Sequence, residues 1–153
     1  MRCVENEEEV MNAIGPLGFE KVVFEQLSFW QQAALMQNTH CFVTLYGAGL
    51  GNLIFMRPES LVIELINKVY AEKKYSFPFW RMANASGVKY IAQFCSINKT
   101  QGLLLEYGKD KNTKELDFLV NQNVIIDIPK LLDNISLRES NTIHLGKITL
   151  NSL

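Results

Sequence analysis

The chain reads as an α/β protein: a three-layer, Rossmann-like domain on a mainly parallel sheet. Three observations carry that expectation. The apolar runs at residues 41–45 and 61–65 are continuous rather than alternating, as in parallel strands covered by helices on both faces. Segments of helical periodicity separate the strand candidates, in the order strand, helix, strand, short helix, strand. Between the two runs lies a glycine loop, residues 46–52, reading Y-G-A-G-L-G-N, with Gly47, Gly49 and Gly51 where a strand would end and a helix begin.

Taken in order, residues 5–14 predict a helix. Val10 and Ile14 share a face with Met11 beside it, Glu7, Glu8 and Glu9 suit its amino end, and Gly15-Pro16 stops it. Val22, Val23 and Phe24 predict a short strand over residues 20–24. Ser28 with Gln31 makes a capping box, and Phe29, Ala33 and Met36 on one face carry that helix to about residue 38. Strand 41–45, the glycine loop, a short helix over 50–56 and strand 61–65 follow. Pro78 opens another helix with Phe79, Met82, Ala83 and Ser86 along one face and Gly87 as its cap. Phe77, Phe79 and Trp80 are read as core rather than as a platform for a sugar. Residues 88–91, 101–105 and 124–126 are strand candidates, and 109–115 a charged surface turn. A last helix over 128–139 carries Leu131, Leu132 and Ile135, and residues 140–153 take no assignment. The whole is expected to form one domain, 1–153, without repeats or a linker.

Composition narrows the function classes. Of 153 residues, 48% are apolar and 20% charged, with a net charge of −1, an ordinary globular balance. Near-neutrality, with no basic stripe interleaved with aromatics, argues against nucleic acid as a partner. Cys3, Cys41 and Cys95 are too scattered for a metal cluster or a disulfide framework. Asp110 and Asp117 are isolated, so no paired-aspartate metal motif is present and no metal site is expected. No secretion signal opens the chain, and no apolar run is long enough to span a bilayer.

The glycine loop is the segment that points to chemistry. Glycines let backbone N–H groups approach a ligand, and the first turn of the following helix adds unpaired N–H groups and the positive end of a dipole. That combination predicts a site for a phosphate or another anion at the carboxyl edge of the sheet. It has neither the spacing of a dinucleotide fingerprint nor the Lys-Ser/Thr of a P-loop.

Residues 27–65 resemble the carboxyl-terminal signature of the family 61 glycosyltransferases, which include plant xylosyl- and arabinosyltransferases and the O-linked N-acetylglucosamine transferase of EGF domains. The resemblance rests on Ser28, Phe29, Gln32, Gly47, Ala48, Gly49, Leu50, Asn52, Phe55, Met56, Pro58, Ile63 and Glu64. Arg2, Asn6, Glu7, Glu9 and Val10 fit the stretch ahead of it. Tyr75, Trp80, Ala83, Gly87, Tyr90 and residues 124–128 extend it more loosely toward residue 135. Two positions depart from the family pattern: Tyr46 stands where histidine is usual, and Gly51 where a threonine or similar small residue is.

The resemblance implies the donor-binding, carboxyl-terminal half of a two-Rossmann-domain (type B) enzyme. Such a half would bind a nucleotide sugar, UDP-linked as in that family, for inverting transfer to a glycan or glycoprotein acceptor, without a strict metal requirement or other cofactor. It further implies an acceptor domain absent from these residues, or supplied by a separate chain, and leaves open whether the first strand of the donor domain precedes Met1. Compartment would follow source: secretory lumen in eukaryotes, cytoplasm in bacteria. The donor-site candidates are Arg2, Gln32, Tyr46, Gly47, Ala48, Gly49, Leu50, Gly51, Asn52 and Glu64. Gly47, Gly49 and Gly51 would cradle the diphosphate, and Asn52 would bond it or cap the short helix. Glu64 would accept from ribose hydroxyls or brace the loop. Gln32 would hold the loop from below; Arg2 would reach a phosphate or stand as a solvated charge, and Arg57 would lie at the surface or reinforce the anion site. No catalytic base is assignable. The alternative is a catalytically inactive, truncated module that binds nucleotide or serves an interaction.

Overall fold

Cys41–Leu45 forms strand β1 and Leu61–Asn67 forms β2, and every residue of both is buried. Lys89–Cys95 forms β3 and Lys147–Ile148 a short β4. The strand order is β3-β2-β1-β4, with every pairing parallel. Cys41 through Leu45 stand opposite Leu61 through Leu65 in register. The structure, a computed structural model, describes residues 3–74, 77–97, 123–137 and 147–148.

Five α-helices accompany the sheet among the described residues: α1 (Glu7–Ile14), α2 (Phe29–Gln37), α3 (Lys68–Lys74), α4 (Pro78–Ala85) and α5 (Ile128–Ser136). A 3-10 helix, Ala48–Phe55, links β1 to β2. The continuous apolar runs follow from burial on two sides. Cys41, Val43, Leu45, Leu61, Ile63 and Leu65 meet Val10 and Ile14 of α1 and Leu131 and Ile135 of α5. Phe42 and Val62 turn the other way, onto Met36 of α2, Leu50 and Leu53 of the 3-10 helix, and Ala83 of α4. Each such side chain contributes roughly 1.5–3 kcal/mol by leaving water. The result is a small parallel sheet between two helical layers, the α/β arrangement that the sequence predicts.

Local signals explain most boundaries. Ser28 caps α2 through a capping box with Gln31, whose side chain accepts from the Ser28 N–H at 2.8 Å. Asp127 caps α5 by accepting from the Lys130 N–H at 3.1 Å, with Pro129 in the first turn. Gly87 takes a left-handed φ of 68° just past α4.

Several expectations are corrected. Residues 20–24 form no strand; Phe24 opens a 3-10 turn, Phe24–Gln26, that delivers its ring to Phe42 at 5.8 Å. Phe29 does not join the core face of α2 but is 56% exposed. β2 and β3 run further than the apolar run and the short 88–91 candidate indicate. Helix α3 begins where Asn67 Oδ1 accepts from the Val69 and Tyr70 N–H groups at 2.9 and 3.4 Å. Val124 and Ile125 make isolated bridges to Val4 and Ser96 instead of a strand. Residues 101–105 and 109–115 lie outside the described residues, and β4 falls in the stretch that had no assignment.

Candidate functional site at the carboxyl edge of the first strand

In sequence order the sheet grows from β1 through β2 to β3 on one side, while β4 lies on the other. The strand order therefore reverses at β1. In open parallel sheets, the crevice beyond the carboxyl ends at such a reversal is where ligands bind. The glycine loop leaves β1 there.

Its backbone is fixed at both ends. The Tyr46 N–H donates to the Leu65 carbonyl at 2.9 Å, tying the loop to β2. The Leu50 N–H donates to the Gly47 carbonyl at 3.1 Å, closing the first turn of the 3-10 helix. Leu50 and Leu53, both fully buried, plug that helix into the core. The N–H groups of Ala48 and Gly49 open the helix and have no acceptor behind them within it. Ala48 is exposed, and Gly47, Gly49, Gly51 and Asn52 are half-buried, so the turn faces accessible space.

The glycines are not there for a left-handed backbone. Gly47 is extended, at φ 165° and ψ −177°, and the positive-φ glycines among the described residues are Gly18 and Gly87. A Cβ built on Gly51 meets nothing within 4 Å. Residue 51 therefore has room for a side chain.

Gln32 braces the loop from α2. Its Nε2 donates to the carbonyls of Phe24 and Leu27, both at 3.0 Å, and its Oε1 accepts from Asn52 Nδ2 at 3.0 Å. One amide thus joins the segment before α2, the helix itself and the glycine loop. Tyr46 lies in an aromatic cluster, its ring 5.3 Å from that of Tyr70 and 5.8 Å from that of Phe79. The Tyr70 hydroxyl donates to the Tyr46 hydroxyl at 3.3 Å.

Glu64 is fourth of seven residues in β2, fully buried, on the same face as Val62. The longer strand makes it an interior residue rather than a terminal one. The Tyr90 hydroxyl of β3 donates to its Oε2. Arg57 lies at the opposite edge of the sheet, in the turn entering β2, and is exposed there. That position fits its surface alternative and not the reinforcement of an anion site at the glycine loop. Arg2 falls outside the described residues. Among the described residues, no group of three or more His, Cys, Asp or Glu side chains is placed to hold a metal ion. No described helix is long and apolar enough to cross a membrane.

The sequence reading missed one feature. Phe77 and Trp80, expected in the core, are 39% and 50% exposed. With Arg81 and Tyr90 they line an open groove of about 440 Å³ between α4 and β3. Their spacing held the signal: Phe77, Trp80 and Arg81 fall at i, i+3 and i+4, a face of α4 distinct from that of Phe79, Met82 and Ala83.

The glycosyltransferase 61 family model matches residues 1–63. That span contains the whole glycine loop, Gln32 and Asn52, and it supports a glycosyltransferase-related function in general terms. It also corrects the resemblance as first drawn. The match lies in the amino-terminal part of this chain and does not run on to residue 135, so it does not identify the chain as a carboxyl-terminal donor-binding half. Several residues of the later likeness have packing roles of their own. Ala83 is fully buried beneath α4, Gly87 supplies a left-handed turn, and Val124 and Ile126 fill the core beside α1 and α5. No curated protein matches the chain.

Proposed function

We propose that the glycine loop binds the diphosphate of a nucleotide-sugar donor, and that the chain serves glycosyl transfer. The observation that carries this reading is the coincidence of two independent facts. The open first turn at Ala48 and Gly49 sits at the strand-order reversal, and it lies within the segment matched by the glycosyltransferase model. The N–H groups of that turn would stabilise negative charge growing on the departing diphosphate as an acceptor hydroxyl attacks the anomeric carbon. Gln32 and Asn52 position the loop, and Glu64 acts through the Tyr90 hydroxyl. A UDP-sugar is the donor we favour, with a glycan or glycoprotein as acceptor and inversion at the anomeric carbon.

A second reading, nucleotide binding without transfer, is favoured by Tyr46. Its hydroxyl accepts from Tyr70 and its ring packs on Tyr70 and Phe79, where the family resemblance places an imidazole. A phenol bears no positive charge near neutrality. Calorimetry with UDP tests the donor site: saturable binding is expected, and no heat up to millimolar UDP would sink it. Measuring release of UDP from UDP-sugars, with and without Tyr46→His, then separates transfer from binding alone.

A further inference from the structure

Helix α4 presents two faces of different chemistry. Phe79, Met82 and Ala83 pack into the core, whereas Phe77, Trp80 and Arg81 look outward over the groove that Tyr90 closes from β3. Half of the Trp80 surface is open to solvent. Phe77 is held at φ 52°, ψ 49°, a left-handed conformation that a bulky side chain rarely adopts, immediately before Pro78. Such outliers persist where the surrounding structure imposes them, and they cluster at ligand sites. Arg81 is exposed and has no ion-pair partner among the described residues. The Tyr90 hydroxyl donates to the buried Glu64 carboxylate, which fixes the phenol ring at the groove wall.

We infer that this groove is a carbohydrate-binding subsite that seats a pyranose ring of a glycan. A pyranose has two kinds of surface, and the groove has a counterpart for each. Its axial C–H groups form an apolar patch of partial positive charge, which suits the negative π faces of Trp80 and Phe77. Its equatorial hydroxyl oxygens accept from donors placed around the rim. The exposed Arg81 fork supplies such donors. An apolar helix or a lipid chain would have to desolvate Arg81 without giving it a partner, which is costly. Aromatic walls with a few placed polar groups are the usual composition of a small-ligand cleft.

The groove stands on its own residues. Its role as the acceptor seat rests on the donor reading above: Phe79, between Phe77 and Trp80 in sequence, contacts Tyr46 at the mouth of the glycine loop.

The chain holds two tryptophans, Trp30 and Trp80, so Trp30→Phe leaves Trp80 as sole emitter. That variant is titrated separately with cellohexaose, chitohexaose and a hexagalacturonate, and then with UDP. A saturable change in Trp80 emission with at least one oligosaccharide, and none with UDP, is expected. Calorimetry with the same sugar should then show affinity weakened about tenfold or more by Trp80→Ala, a loss of about 1.4 kcal/mol. Circular dichroism checks that this exposed substitution leaves the fold intact, and Arg81→Ala provides an independent second variant.

No emission change with any of the three sugars would overturn the subsite. So would binding that neither Trp80→Ala nor Arg81→Ala weakens. A response to UDP alone would make the groove a nucleoside seat and also overturn it. Sugar binding in a protein that gives no calorimetric heat with UDP would keep the subsite and remove the donor site, so the two readings fail separately.

Discussion

Replacing Gln32 with alanine should loosen the glycine loop from behind without touching the backbone N–H groups proposed to meet the diphosphate. The side chain makes three hydrogen bonds, two donated to the Phe24 and Leu27 carbonyls and one accepted from Asn52, all at 3.0 Å. A net contribution of about 0.5–1.5 kcal/mol each, taken at the lower end because water reaches this half-buried site, gives a loss of about 1.5 kcal/mol. Urea unfolding, followed by circular dichroism, would show the midpoint falling at an unchanged slope. Gln32→Glu sharpens the test. Its carboxylate still accepts from Asn52 but cannot donate to the two carbonyls. It should therefore keep the loop tethered while releasing the segment before α2. Hydrogen exchange at the Leu53 and Met56 amides should accelerate in Gln32→Ala and less so in Gln32→Glu. A stability loss below about 0.5 kcal/mol, the scale of an ordinary surface substitution, would refute the bracing role.

Two further predictions concern backbone and burial. Gly51→Ala should be neutral or stabilising by about 0.4–1 kcal/mol, because the added Cβ has open space and the unfolded chain loses freedom. Gly87→Ala should cost about 1–2 kcal/mol, since φ there is +68°; the thermal midpoint should fall for Gly87→Ala and hold or rise for Gly51→Ala. Burial pushes the Cys95 thiol up to about 12, from an ordinary value of 9.0. The neutral thiol is therefore favoured by the fold: the stability it lends is whole below 9.0 and is lost as pH rises from there through about 12. Alkylation at neutral pH should modify half-buried Cys3 first and reach Cys95 only on unfolding.

The parts of the fold legible in sequence are those where local chemistry and tertiary packing agree. Continuous runs in β1 and β2 mean burial on two sides, and the capping box at Ser28 is satisfied by atoms within one turn. Where the two conflict, the sequence misleads. Val22-Val23-Phe24 has strand composition, yet its placement is decided by the contact of Phe24 with Phe42 far along the chain. The glycine loop is visible as a motif. That its glycines are not left-handed, and that Arg57 faces the wrong edge, depend on the direction in which the 3-10 helix runs, which composition does not encode. Gln32 next to Asn52 is a contact across twenty positions, readable only once α2 and the loop are packed. The groove was hidden for a related reason: aromatic residues on a helix imply burial until the helix is placed at an edge strand.

The most direct test is an amide-resolved NMR titration with UDP. If the loop seats the diphosphate, the Gly47, Ala48, Gly49 and Leu50 amides should shift together and saturate with one affinity, while the distant α1 and α5 amides stay still. Saturable UDP binding whose shifts fall elsewhere, with those four amides unmoved, would contradict the donor site at the end of β1.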